Sequence, residues 1–297
     1  LVNQPLINRI LSVPIEEYSF LNRYCHFFPN SLLMQLEIIS RLPSTKSTKP
    51  PILCIHGAYN HAWCWDKYFL PYFAQAGYPA YALSLRGHGN SAGANWLYWA
   101  SLADYVDDVA QVSRDLAQPP ILIGHSMGGM IVQKYWEAHH SHSAAILMAS
   151  VPPSGLWSPS VYLAGQDPGL LWQLNLIQFF GLRFVTPSLL KKALFSELTS
   201  AEIIQNYLAQ LQPESQRVIL DMLWLDLPTL HSQPTSPLLV LGAANDKVFP
   251  QFLVNRTAKI YDTQAHIFPN MAHTMMLEPA WQKVADYILS WLQERKL

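Results

Sequence analysis

The chain has 297 residues, half of them hydrophobic and 13% charged, about half the usual charged fraction, which excludes intrinsic disorder. Nineteen basic residues against twenty acidic ones leave a net charge of -1, without the dense Lys/Arg run of a nucleic-acid footprint. Cys25, Cys54 and Cys64 form no CxxC pair and are too few for a disulfide framework, so they read as buried thiols and favour a cytoplasmic chain. A sequence beginning at Leu1 would not show a signal peptide already removed.

In chain order, residues 18–21 and 33–39 read as edge strands, and 43–50 as a polar loop rich in Ser, Thr and Lys. Apolar runs at 51–55, 78–85, 120–124, 144–149, 237–242 and 265–269 read as buried strands. Between them, Leu102, Val106, Val109, Val112 and Leu116 recur at steps of three or four, which predicts a helix with one apolar face over 101–117. Helices are also expected at 130–138, near 251–261 and over 279–293, the last with Trp281, Val284, Ile288 and Trp291 inward. This alternation is that of a mostly parallel sheet flanked by helices. From 152 to 234 the strand rhythm stops in favour of helix-forming stretches heavy in Leu, Trp and Phe. The expected organisation is therefore a core of residues 1–151 and 235–297 interrupted by a helical cap at 152–234. The longest uncharged apolar stretch, 168–182, is short for a membrane span and carries Gln173, Asn175 and Gln178.

Gly124-His125-Ser126-Met127-Gly128 fits G-x-S-x-G between an apolar strand and a helix-compatible run. The bare pattern arises by chance in roughly one chain of this length in ten, so the strand-turn-helix setting carries the inference. A serine hydroxyl is a weak nucleophile until a base takes its proton and an acid orients that base, expected in the chain order Ser, acid, His. Asp246, where the fifth strand run ends, is the candidate acid; it can also be read as the cap of an Asn-Asp turn. Glu202, Glu214, Asp221 and Asp226 read as solvated helix faces. Of the two histidines that follow Asp246, His273 lies in a loop after the last strand and is favoured as base over His266, which lies inside that strand. The oxyanion donors are expected to be the backbone N–H of Met127 and that of Ala58, with Tyr59 as the alternative. His56 is expected to hold its loop by hydrogen bonding. His139, His140 and His142 lack metal-ligand spacing and read as an exposed helix end, and neither a metal nor a cofactor is called for.

With His56-Gly57, the run from Arg86 to Ser91, the elbow glycines, Asp246 and His273 in place, the chain from about residue 50 onward resembles α/β-hydrolases of the serine esterase and lipase type. The stretch from His56 to Trp65 is similar to the opening loop of small-molecule methyl esterases and hydroxynitrile lyases. The lyases, however, carry a lysine near the catalytic histidine, where this chain runs from His273 to Pro279 without one. The resemblance implies an α/β-hydrolase fold and a serine hydrolase of carboxylic esters acting through an acyl-enzyme, with carboxylesterase, lipase and lysophospholipase activities all within range. The apolar cap suggests a lipophilic small-molecule ester as substrate, with Tyr59, Trp157, Trp172 and Phe180 as candidate pocket residues. A slow or non-catalytic receptor, a perhydrolase and a carbon-carbon bond hydrolase are the competing readings on the same scaffold.

Overall fold

The computed structural model describes residues 34–139, 141–229 and 236–297. Seven strands form one sheet: β1 (Glu37–Arg41), β2 (Ile52–Ile55), β3 (Ala80–Ser84), β4 (Ile121–His125), β5 (Ala144–Met148), β6 (Leu238–Ala243) and β7 (Ala265–Phe268), in the order β1-β3-β2-β4-β5-β6-β7. Only β1 is antiparallel, pairing Glu37 with Ser84 and Arg41 with Ala80; the rest are parallel, with Ile52 beside both Ala80 and Ile121. Strands β2, β4 and β5 are buried along their whole length, because helices cover both faces of the sheet.

One face carries α1 (Trp63–Asp66), α2 (Phe69–Gln75) and α11 (Trp281–Glu294), which pack Trp65, Phe69, Phe73, Val284 and Ile288 against Ile52, Cys54, Ile121 and Ile146. The other carries α3 (Leu102–Asp115), α4 (Met127–Ala138) and α10 (Gln251–Ile260), which pack Val109, Ile131 and Val254 against Leu53, Ile55, Leu122 and Leu147. Alternate residues of each strand thus serve opposite halves of the core. Helix α3 starts where its capping box dictates: Ser101 accepts from the Asp104 N–H, and the Asp104 carboxylate accepts from the Ser101 N–H. Between β5 and β6 the chain forms α5 (Trp157–Gln166), α6 (Pro168–Phe180), α7 (Pro187–Leu194), α8 (Ala201–Gln210) and α9 (Gln216–Leu220), with no strand among the described residues of that stretch. Pro168 and Pro187 open α6 and α7, where a missing N–H is harmless, and the Asp167 and Thr186 side chains cap them.

The expected strands from 51 onward all form. The strand expected at 33–39 stands later, at Glu37–Arg41, and the run at 18–21, Cys25 and His140 lie outside the described residues. His142 is buried against Tyr135 rather than exposed at a helix end. No helix among the described residues is long and apolar enough to cross a membrane.

Candidate active site

Strand β4 ends at His125, and the chain reverses at Ser126 into α4 with φ 55° and ψ -117°, a region that L-residues occupy only when the surroundings impose it. Those surroundings are visible. The Ser126 N–H donates to Met148 O, and Ser126 O accepts from the Gly129 and Val151 N–H groups. The two flanking glycines are required by space: a Cβ on Gly124 would stand 2.3 Å from Gly128 O, and one on Gly128 would stand 2.3 Å from Ile55 O. Such a turn lifts the serine hydroxyl above the sheet edge. It also leaves the Met127 N–H at the first position of α4, where no preceding carbonyl in the helix can take it.

The loop after β2 approaches the same point, since a Cβ on Gly57 would lie 3.0 Å from Ser126 Cβ. His56 anchors that loop as expected: its Nδ1 faces Gly57 O at 2.9 Å, and its Nε2 accepts from the Leu85 N–H at 3.1 Å. Burial, together with the nearby His88, pushes its pKa well down, so the ring is neutral. The N–H of Tyr59 is already committed, donating to Glu214 Oε2 at 3.2 Å, whereas the Ala58 N–H has no partner among the described residues.

On the other side of Ser126, Asp246 and His273 meet, with Oδ2 and Nδ1 2.8 Å apart and both side chains buried. Asp246 Oδ1 accepts from the Val248 and Phe249 N–H groups, as a turn residue does, and this leaves Oδ2 for the imidazole. Among the described residues Ser126 Oγ and His273 Nε2 are not hydrogen-bonded, but both line one cavity. His266 lies elsewhere, stacked on Tyr287 with ring centroids 3.9 Å apart. His125 donates from Nε2 to His273 O at 2.9 Å; burial and the neighbouring His273 push its pKa down to about 3.

The cavity holds about 290 Å³ between the sheet edge and α5–α8. Ser126, His273, Ala58 and Tyr59 stand at its floor, and Leu163, Leu171, Leu174, Ile177, Leu189 and Leu194 supply much of its wall. Of the four candidate pocket residues only Tyr59 is in it. Trp157, Trp172 and Phe180 are 61%, 66% and 56% exposed and lie outside the cavity lining, because the faces of α5 and α6 that carry them turn outward. Glu214 and Asp221 are buried rather than solvated: Glu214 takes the Tyr59 and Tyr105 donors, and Asp221 accepts from the Leu102 N–H and Arg217 Nε. A helical sequence pattern carries no sign of donors that arrive from other elements.

The model of the alpha/beta hydrolase family matches residues 52–287, and the chain belongs to that family. Its relatives are of esterase and lipase type. It is 26% identical over 260 residues to a monoacylglycerol lipase of Mycolicibacterium smegmatis, which covers 81% of this chain and 87% of the relative. Its fold is similar to a thermophilic esterase from Thermogutta terrifontis (TM-score 0.68, 18% identity, 88% of this chain and 94% of that one). It is equally similar to a bromoperoxidase from Bacillus anthracis (TM-score 0.70, 19% identity, 88% and 96%), so the likeness shows the fold and not the reaction.

Proposed function

We propose that this protein is a serine hydrolase of lipophilic carboxylic esters. The observation that carries the reading is His273, paired with Asp246 behind it, facing the same apolar cavity as Ser126 on its strained turn. In this mechanism Ser126 Oγ attacks the ester carbonyl as its proton passes to His273 Nε2, while Asp246 keeps the proton of the imidazole on Nδ1. The Met127 and Ala58 N–H groups receive the oxyanion. Collapse of the tetrahedral species expels the alcohol, which takes the proton back from His273. Water then adds to the acyl-enzyme through the same base and releases the acid.

Helices α5–α9 act as a cap that shapes the acyl pocket, corresponding to the insertion at 152–234. At roughly 30 Å³ for each water-sized or methylene-sized group, a cavity of about 290 Å³ accepts an acyl chain of about eight to ten carbons. The likeness to a monoacylglycerol lipase supports a fatty-acyl ester of a small polar alcohol.

The test is a series of p-nitrophenyl esters from acetate to palmitate with Ser126→Ala as control. Catalytic efficiency should climb with chain length to a medium-chain maximum, with a burst of p-nitrophenol in the first turnover. Loss of the nucleophile can cost about six orders of magnitude in kcat. If the variant keeps more than about a tenth of the rate on every ester, the serine reading is wrong.

A further inference from the structure

The short segment between α8 and α9 reaches out of the insertion and takes hold of the loop after β2. The Gln212 N–H donates to Tyr59 O at 3.0 Å, and the Tyr59 N–H donates to Glu214 Oε2 at 3.2 Å. Both backbone polar groups of Tyr59 are thus bound by one stretch of chain. Tyr59 itself has φ 63°, a left-handed conformation that a bulky side chain abandons unless it is held. The Glu214 carboxylate is fully buried and also accepts from Tyr105 Oη and the Ser215 N–H, each at 2.7 Å. His88 Nε2 lies 3.3 Å from Oε2, an ionic contact rather than an aligned hydrogen bond. Gln212 Oε1 accepts from the Gly89 N–H at 2.6 Å, which ties the same segment to the loop that carries His88.

We propose that Glu214 is the positioning residue of the oxyanion loop, holding Tyr59 in its left-handed conformation so that the adjacent Ala58 N–H is the donor offered to the substrate. The inference rests on the serine mechanism above. With Glu214 removed, Tyr59 relaxes toward negative φ, the Ala58–Tyr59 peptide rotates, and the loop no longer presents the Ala58 N–H beside Ser126. The carboxylate is suited to this task because it stays ionised where it sits. Burial alone would raise its pKa, but the charge of nearby His88 and the donors from Ser215 and Tyr105 overcome that and hold it below the usual range.

The test compares Glu214→Ala, Glu214→Asp and Glu214→Gln on a medium-chain p-nitrophenyl ester. A second readout is inhibition by an alkyl trifluoromethyl ketone, whose adduct with a serine is a tetrahedral oxyanion. Loss of one oxyanion donor costs about 10²- to 10³-fold in kcat, and that is the fall expected for Glu214→Ala, with KM unchanged within about twofold and ketone affinity reduced in parallel. Glu214→Gln keeps an acceptor for the Tyr59 N–H and should stay within about tenfold of wild type. Should Glu214→Ala fail to fold, Glu214→Asp decides: it keeps the charge for His88 but withdraws the oxygen from Tyr59, so it should lose kcat and ketone affinity together. Wild-type kcat in a folded Ala or Asp variant overturns the proposal, as does a loss of kcat with ketone affinity intact. Ser126→Ala separates the two ideas. If it remains active the serine mechanism fails, whereas inactive Ser126→Ala beside normal Glu214 variants sinks only the role of Glu214.

Discussion

The two halves of the helical insertion wall the same cavity but are attached to the molecule in different ways. The second half, from α7 onward, is fastened to the loops of the site by buried groups. Ser196 donates from both its N–H and its hydroxyl to the buried Glu278 carboxylate, Thr274 donates from its N–H and Oγ1 to Leu194 O, and Glu214 binds Tyr59. The first half, α5 and α6, has a polar fringe instead: the Asp167–Lys192 ion pair, and Gln178 accepting from Tyr59 Oη and donating to Gln216 Oε1. Its outer face leaves Trp157, Trp172, Phe179 and Phe180 in solvent. One half is therefore tied by buried groups to the loops that carry Tyr59 and His273, and the other meets them through polar contacts at the edge of the cavity.

The largest effect that would test this division is expected at Glu278, five residues beyond His273. Glu278→Ala leaves the Ser196 N–H and hydroxyl without their acceptor in a buried place. At about 1.5–3 kcal/mol for each hydrogen bond to a charged group, the loss of stability should be about 3 kcal/mol, read from urea unfolding. Because the loop that carries His273 loses its fastening, kcat should fall roughly ten- to a hundredfold, as misplacement of a catalytic group by about 1 Å would produce. A variant less stable but equal in kcat would show that the tether serves the fold alone.

A pH effect comes next, at the loop of His273 to which the fastened half is tied. His125 donates to His273 O and has its pKa pushed down to about 3 by burial and by the neighbouring His273. Unfolded, the same imidazole titrates near about 6.5, so as pH falls the unfolded chain binds the proton first. The contribution of the buried neutral ring is complete above about pH 6.5 and is lost progressively toward about pH 3. The loss amounts to about 2 kcal/mol by pH 5, at about 1.36 kcal/mol per pH unit. His125→Gln keeps a donor for His273 O and removes the titration, so its urea midpoint should fall less than that of wild type between pH 7 and pH 5. His56, whose pKa is also lowered, drops out of the comparison because both proteins carry it. Parallel pH profiles would mean that His125 is not the acid-sensitive group.

On the other half, Leu174 of α6 faces the cavity. On the proposed reading, Leu174→Trp fills part of the acyl pocket. Each methylene kept in water forfeits about 0.8 kcal/mol, so excluding two of them lowers kcat/KM by about tenfold or somewhat more. The fall should appear for octanoate and longer esters and be absent for acetate. An equal fall on all esters would place the loss in the catalytic loops and blur the division of labour.

Which of these features could be read from the amino-acid order follows from where their causes lie. Strands β2, β4 and β5 are buried on both faces and so appear as unbroken apolar runs. The elbow needs glycine for local steric reasons, and Asp246 follows the end of β6; both are written within a few neighbouring residues. By contrast β1 is an edge strand, half-buried from Ile39 onward, and the pattern misplaced it. Glu214, Glu278 and Asp221 take most of their donors from residues between 82 and 155 positions away, which no local pattern contains. Helix α6 defeats periodicity altogether. It is apolar nearly all round, so nothing in the order of residues says which side is inside, and the bulky aromatics drew the expected pocket to the wrong face.

That error leads to the smallest expected effect and the most informative one. Trp172 and Phe180 stand on the solvent side of α6, while Leu171, Leu174 and Ile177 of the same helix line the cavity. Removing an exposed side chain that contacts neither the core nor the acyl pocket changes stability by no more than about 0.5 kcal/mol. It takes no atom from the pocket wall either. Trp172→Ala and Phe180→Ala should therefore leave the dependence of kcat/KM on chain length superimposable on that of wild type with soluble p-nitrophenyl esters. A selective loss on long chains in either variant would require the outer face of α6 to reach the substrate during turnover. The half of the insertion with the weaker fastenings would then have to rotate, turning a wall of the pocket into a moving one, and the measurement distinguishes these two roles without any change to the residues that hold the catalytic loops.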